Sequence, residues 1–316
     1  MTRDSSARFA WFRLALALFG VALLVVIVRQ VGVRAVASTL GPALAWLPLI
    51  CLLELVRMGC DAVSSFVAFG EQASRIPKLT LLRAHVIGQS LSAFLPAPRP
   101  VNESIKIGLL APYVGAPAAT SVGFVNQAAT LIAAGLFSIP CGAAMFALGG
   151  RSFWLWAAAA HAVVLVTSGV VVRAITRADA LGRFLERKLP RLASRFAAFR
   201  AHDARVGFFA VGSSSALFVG RAVQALQLGV AARAVGIPLG ALGALAAEGV
   251  NLIGTAVGVL VPGGLGATDG AFTLASALLS TTVARAASLA LLLRCMQIAW
   301  VPVGAALALV RGARAS

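Results

Sequence analysis

The chain has 316 residues, 60% of them hydrophobic and only 12% charged, with a mean hydropathy of +0.93. A water-soluble domain carries roughly 25% charged residues, and no soluble fold of this size hides so much apolar surface, so lipid must be the solvent. The 27 Lys and Arg residues against 10 Asp and Glu give a net charge of +17, but these bases lie mostly between apolar runs, as in cytoplasmic loops of membrane proteins, and no nucleic-acid motif accompanies them.

At the N-terminus Arg3, Arg8 and Arg13 precede an apolar run from Leu14 to Val28, and Ala35-Val36-Ala37 resembles a signal cleavage site. The length of the run, and the second apolar segment that follows at once, favour a retained first helix. Crossing a bilayer takes roughly 20 apolar residues. Segments 11–28, 43–69, 117–148, 152–173, 206–232 and 283–310 meet that requirement. Pro140 lies inside the long 117–148 run, where it is expected to kink the helix or divide it.

Two other apolar runs, 80–96 and 240–262, end in proline and lead through turn residues into a second, weaker helical stretch. The chain therefore holds two interrupted hairpins, 80–112 and 240–281. Between them, segment 173–205 carries Arg173, Arg177, Arg183, Arg187, Lys188, Arg191, Arg195, Arg200 and Arg205. It reads as the basic cytoplasmic loop, and Leu181, Phe184, Leu185, Leu189, Leu192 and Phe196 give it the pattern of an amphipathic helix lying on the membrane. The 71–83 loop and both termini are expected on the same side.

These constraints close on an all-α polytopic membrane protein in one transmembrane domain, 1–316. It has about six spanning helices plus two oppositely oriented re-entrant helical hairpins, in a pseudo-two-fold, inverted-repeat-like arrangement. If the interrupted segments cross fully and 117–148 divides, the count becomes about ten spans. Cys51, Cys60, Cys141 and Cys295 form no CxxC pair, and His85, His161 and His202 do not cluster, so neither a metal nor a cofactor is expected.

The hairpins carry matching breaks. The first reads Leu95-Pro96-Ala97-Pro98-Arg99-Pro100-Val101-Asn102-Glu103, the second Val261-Pro262-Gly263-Gly264-Leu265-Gly266-Ala267-Thr268-Asp269. In each an acid follows a residue, Asn102 or Thr268, suited to capping a new helix. Either break alone reads equally well as a plain helix end. As a pair, one in each half, they match the pattern of transporters built from inverted repeats. Broken helices at membrane depth are tolerated where they are buried or line a watery cavity, and their free N–H groups make an anion site. Gly263, Gly264 and Gly266 would let a headgroup approach the backbone.

Charged residues at the centre of a spanning helix cost roughly 2.5–3.5 kcal/mol each on insertion scales. Glu54, Arg57 and Asp61 share one apolar run, and Arg57 and Asp61, four apart, read as a structural ion pair. Arg221, Gln224 and Gln227 form a polar stripe, as do Arg294 and Gln297. Glu248 and Asn251 are placed to face the cavity of Asp269, while Glu103 and Lys106 share a helix face. Arg99, Lys106 and Arg294 are candidate phosphate ligands, because arginine binds phosphate in a bidentate fork. The acids Glu103 and Asp269 are candidates for carrying protons or meeting a cationic headgroup. Gly254 and Gly258 make a GxxxG pair, whose default role is close helix packing.

The stretch Pro98-Arg99-Pro100-Val101-Asn102-Glu103-Ser104-Ile105-Lys106 resembles the P-G-R-x-G-E-x-x-[RK] motif of the lysylphosphatidylglycerol synthase transmembrane region. Pro262-Gly263-Gly264-Leu265-Gly266-Ala267-Thr268-Asp269 resembles that family's P-G-G-L-G-x-x-E, and Arg294 to Gly304 its last helix. Asn102 stands for the usual Gly, Asp269 for the usual Glu, and Asn126-Gln127 where many members carry Glu-Arg. The family includes the membrane half of the bacterial multiple peptide resistance factor, regarded as a flippase for aminoacylated phosphatidylglycerol. The resemblance thus implies a bacterial inner-membrane, flippase-like transporter of an anionic, aminoacylated or polyprenyl-linked lipid headgroup. The large soluble synthase unit of the fused proteins has no room here, so lysyl transfer and enzyme activity are not expected.

Implied partners are membrane lipids, anionic or polyprenyl-phosphate-linked, with homo-oligomerisation left open. The competing readings are an ion-coupled transporter of a small solute, an accessory protein of lipid or glycan biosynthesis, and a membrane enzyme acting on a headgroup. Against the last stand the missing DxxD-type metal cluster and the missing His/Ser catalytic pair.

Overall fold

A computed structural model describes residues 33–93, 95, 97–179, 183, 187–188, 190–259, 261 and 266–309. The expected first span, 11–28, lies outside the described residues, as do Gly263, Gly264 and most of the apolar positions of the basic loop.

The described residues form helices and no strands. In chain order these are α1 (Val33–Ala43), α2 (Leu47–Phe69), α3 (Lys78–Ser92), α4 (Pro98–Val114), α5 (Ala116–Gly149), α6 (Phe153–Arg177), α7 (Pro190–Asp203), α8 (Val211–Ala234), α9 (Ala241–Val257), α10 (Ala267–Leu274) and α11 (Val283–Leu309). A 3-10 turn, Gly70–Arg75, follows α2. Five helical runs are long and apolar enough to cross a membrane: Ser38–Arg75, Ala116–Gly149, Phe153–Arg177, Val211–Ala234 and Val283–Leu309. They coincide with the five expected spans after the first.

Helix α5 is the hub. Its 34 residues extend about 50 Å at 1.5 Å per residue, and it packs against α2, α4, α6, α7, α8 and α9. Pro140 sits within it without dividing it, so 117–148 is one run, as the six-span count has it, and the alternative that divides it is corrected. Neighbouring helices on several sides hold the flanking turns in place, which is how membrane helices accommodate a proline. Helix α6, by contrast, turns Trp156, Val163, Val164, Val171 and Ile175 outward, an apolar face that lipid can cover.

Helices α3, α4, α9 and α10 are short. At 1.5 Å per residue they reach only about 12–26 Å, less than the roughly 30 Å hydrocarbon core. They pack as two pairs, α3 with α4 and α9 with α10. Gly254 permits the second pairing: a Cβ there would stand 2.9 Å from both the Ala271 Cβ and the Thr268 Cα. Helix α11 then packs on both α3 and α10, and α8 packs on α2 and α9. The broken segments are thereby enclosed among longer helices.

Candidate functional site

The two breaks meet. The Ala97 N–H, just before α4, donates to the Val259 carbonyl, just after α9, at 3.3 Å. Ala97 adopts a left-handed backbone (φ 52°), and Pro98 begins α4 directly after it. Proline suits the first helical turn because its missing N–H would have no partner there. Asn102 and Glu103 consequently lie in the second turn of α4, not at its cap as expected. Asn102 donates to Gln89 Oε1 of α3 at 3.2 Å, and Lys106 donates to Glu103 Oε1 at 2.5 Å.

Arg99, in the first turn of α4, lies within electrostatic reach of a charged cluster built by α2, α8 and α9. Arg57 in mid-α2 grips Glu54 with two nitrogens, at 2.7 and 3.0 Å, and reaches Asp61 with a third at 3.0 Å. The i, i+3 and i+4 spacing puts all three on one face. Gln227 of α8 adds hydrogen bonds to Glu54 (3.3 Å) and to the Ile50 carbonyl (2.9 Å), which tie α8 to α2. Nearly two turns earlier on α8, Arg221 bonds Gln224 Oε1 at 2.7 Å and stands 3.5 Å from Glu248 Oε1 on α9. Asn251 donates to the other Glu248 oxygen at 3.0 Å.

Arg99 lies within electrostatic reach of Arg221, Asp61, Arg57 and Glu248, yet among the described residues it has no hydrogen bond or ion pair. Three arginines thus share the space with three carboxylates, but Glu54 and Asp61 are both engaged by Arg57. Arg99 and Arg221 are left with Glu248 alone. Two guanidinium groups beside one carboxylate carry a net positive charge, which a phosphate would neutralise through fork-like hydrogen bonds.

The second break is braced separately. Asp269 lies in the first turn of α10, as its sequence position suggests, but the cap residue is Gly266 instead of Thr268. The Gly266 N–H donates to Asp269 Oδ2 at 2.8 Å. Arg294 of α11 meets the same carboxylate at 3.2 and 3.4 Å and bonds Gln297 at 3.1 Å. Arg294 is therefore engaged with Asp269, and Glu248 faces Arg221. Glu248 and Asp269, expected to face one cavity, thus have different ion-pair partners.

A further polar network lies beneath the first pair of short helices. Ser65 bonds the His85 ring at 2.9 Å, Asn126 donates to Ser65 at 2.6 Å, and Ser64 donates to Asn126 at 3.0 Å. It links α2, α3 and α5 through fully buried groups. No local spacing announces it, because its members come from three helices and include two serines that blend into apolar runs. His161 is likewise satisfied, by Ser138 at 2.9 Å. Among the described residues no group of three or more His, Cys, Asp or Glu is placed to hold a metal ion.

Apolar helices of spanning length, two broken helix pairs meeting between them, and ion pairs in mid-helix define a multi-pass α-helical membrane protein. Comparison of the sequence with protein families makes this more specific: residues 11–306 match the family described as the lysylphosphatidylglycerol synthase TM region. The chain belongs to that family. No curated protein and no solved structure matches it significantly.

Proposed function

We propose that this chain is a flippase-like transporter that passes the headgroup of an anionic lipid between leaflets, and that Arg99 and Arg221 receive its phosphate. Membership of a family named for the membrane part of a lipid-modifying protein supports a lipid-related role. The observation that carries the transport reading is Arg99 itself, a part-buried cation without a described partner, on the segment where the two breaks touch. In this reading α3–α4 and α9–α10 are re-entrant pairs of opposite orientation, and rocking around their contact exposes the arginines to each side in turn.

The test is reconstitution of the full chain in liposomes containing fluorescent phosphatidylglycerol, with an impermeant quencher following transfer between leaflets. The wild-type chain is expected to accelerate transfer, and Arg99→Gln and Arg221→Gln to slow it at least tenfold. Unaccelerated transfer by the folded wild-type chain, or full activity in both variants, overturns the reading.

A further inference from the structure

A cavity lies away from the charged cluster, at the junction of α2, its 3-10 turn, the end of α7 and the start of α8. It measures about 610 Å³. Among its lining residues are Glu71, Gln72, His202, Arg205 and the first turn of α8, Val211 to Ser213.

The cavity has donors without acceptors. The first backbone N–H groups of a helix have no partner within it. In α8, Ser214 is the first amide to bond back, to the Ala210 carbonyl at 2.8 Å. The amides of Val211, Gly212 and Ser213 precede it, and the helix dipole adds partial positive charge at this end of a 24-residue helix. His202 is only 6% exposed, and its ring stands near the Ala68 backbone while neither nitrogen makes a well-aligned hydrogen bond among the described residues. One acceptor, the buried Gln72 Oε1, is also unpaired and needs a donor of its own, which an anion does not supply. Arg205 is exposed at the mouth and forms no ion pair among the described residues. Glu71, the one carboxylate of the lining, is exposed at the rim.

Carbonyls that would otherwise compete for these donors are held elsewhere. Arg173 bonds the carbonyls of Phe208 at 3.0 Å and Gly207 at 3.4 Å, and Arg177 bonds those of Asp203 at 3.0 Å and Val206. Both arginines are anchored on the fully buried Asp203. The loop leading into α8 is thus fixed with its acceptors drawn towards α6. Among the lining residues, Val67 and Val211 are 46% and 70% exposed, apolar surface set beside the polar groups.

We infer that this cavity is a second lipid site, in which the phosphodiester of a membrane phospholipid sits on the N-terminus of α8 between His202 and Arg205. The exposed apolar lining beside the polar groups favours a lipid over free phosphate, because acyl chains would cover Val67 and Val211 while the headgroup meets the donors. The site lies apart from Arg99 and Arg221. It shares with the transport reading only the choice of a lipid as ligand.

The experiment uses the full-length protein in detergent and three probes: short-chain phosphatidylglycerol, the matching diacylglycerol without phosphate, and inorganic phosphate. Binding is read by titration calorimetry. The variants are Arg205→Gln, at an exposed position, and Gly207→Leu, where a Cβ would meet nothing within 4 Å and the larger side chain fills the cavity. Phosphatidylglycerol is expected to bind the wild type at least tenfold more tightly than either other probe, and each variant to weaken it at least tenfold. Wild-type binding in both variants, or equal binding of diacylglycerol, overturns the site. Equal binding of inorganic phosphate overturns the lipid assignment. Retained binding together with absent leaflet transfer would sink the transport reading and leave this site standing.

Discussion

Ala97 and Val259 come from opposite halves of the chain, 162 positions apart, and share a backbone hydrogen bond of 3.3 Å. That bond fixes the start of α4 against the end of α9. It places Arg99 two residues from the contact and beside the α8–α9 pair Arg221 and Glu248. The polar break of one helix pair is thus satisfied by the other, as non-helical backbone requires away from water.

Arg57 is expected to be the most important cation for stability. It is nearly buried and neutralises Glu54 and Asp61 together. Removing one partner of a buried ion pair costs about 3–5 kcal/mol, because the abandoned charge stays buried. Arg57→Gln should therefore lower the unfolding midpoint in detergent sharply, whereas Arg99→Gln, which breaks no described bond, should leave it near wild type. Equal destabilisation by the two changes would contradict the separation of structural and ligand-facing arginines.

Asp269 serves two partners, the Gly266 N–H and Arg294. Asp269→Asn keeps an oxygen for the amide but abandons Arg294; Asp269→Glu keeps the charge on a longer side chain. The Asn variant is expected to be less stable than the Glu variant by about 1–3 kcal/mol, since it removes the negative charge that faces the buried Arg294 guanidinium. Thermal unfolding of the two variants in parallel measures the order.

Gly254 is expected to resist enlargement. A Cβ at 2.9 Å from Ala271 and Thr268 forces α9 and α10 apart, and overpacking of this kind costs about 1–3 kcal/mol. Gly254→Val should lower the unfolding midpoint, with Gly254→Ala intermediate. Gly240, which has nothing within 4 Å of a Cβ position, supplies the control, and Gly240→Ala should be close to neutral.

His202 gives the fold a pH dependence. Burial holds its ring below the ordinary value of 6.5; the Ala68 backbone opposes this in part, and the charges of Arg205 and Asp203 act in smaller and opposite senses. Phe69 packs beside the ring, 6.5 Å between centroids. The unfolded chain therefore takes up the proton first as pH falls. The stability tied to the neutral ring is intact above about pH 6.5 and declines below it. Unfolding midpoints at pH 7.5 and 5.5 should differ more for the wild type than for His202→Gln. A difference of equal size in both would remove His202 from the account.

Much of the architecture was legible because membrane insertion is written in composition. Five of the expected spans appear as helices with boundaries close to those read from hydropathy, since length and apolarity alone decide whether a helix can cross. Arg57 with Asp61, Glu248 with Asn251 and Glu103 with Lys106 were legible for a different reason. Helical spacing puts residues three or four apart on one face, and their hydrogen bonds follow.

Pairings between helices were not legible. Asp269 with Arg294, Arg173 with Asp203, and Ser65 with His85 and Asn126 depend on which helices become neighbours, and no local period records that. Arg173 looked like one more charge of a basic loop, yet it is 1% exposed and locks α7 and the start of α8 in place. Asn102 looked like a helix cap, but the prolines at 98 and 100 begin α4 a full turn earlier.

The sequence by itself determined a helical membrane protein with two broken segments, because apolar length and proline act locally. Only the tertiary structure decided that the breaks touch, that Arg57 takes up two carboxylates while Arg99 has no described partner, and that a donor-lined cavity opens at α8. Those are consequences of packing, where a charge acquires its role from neighbours far away in the chain.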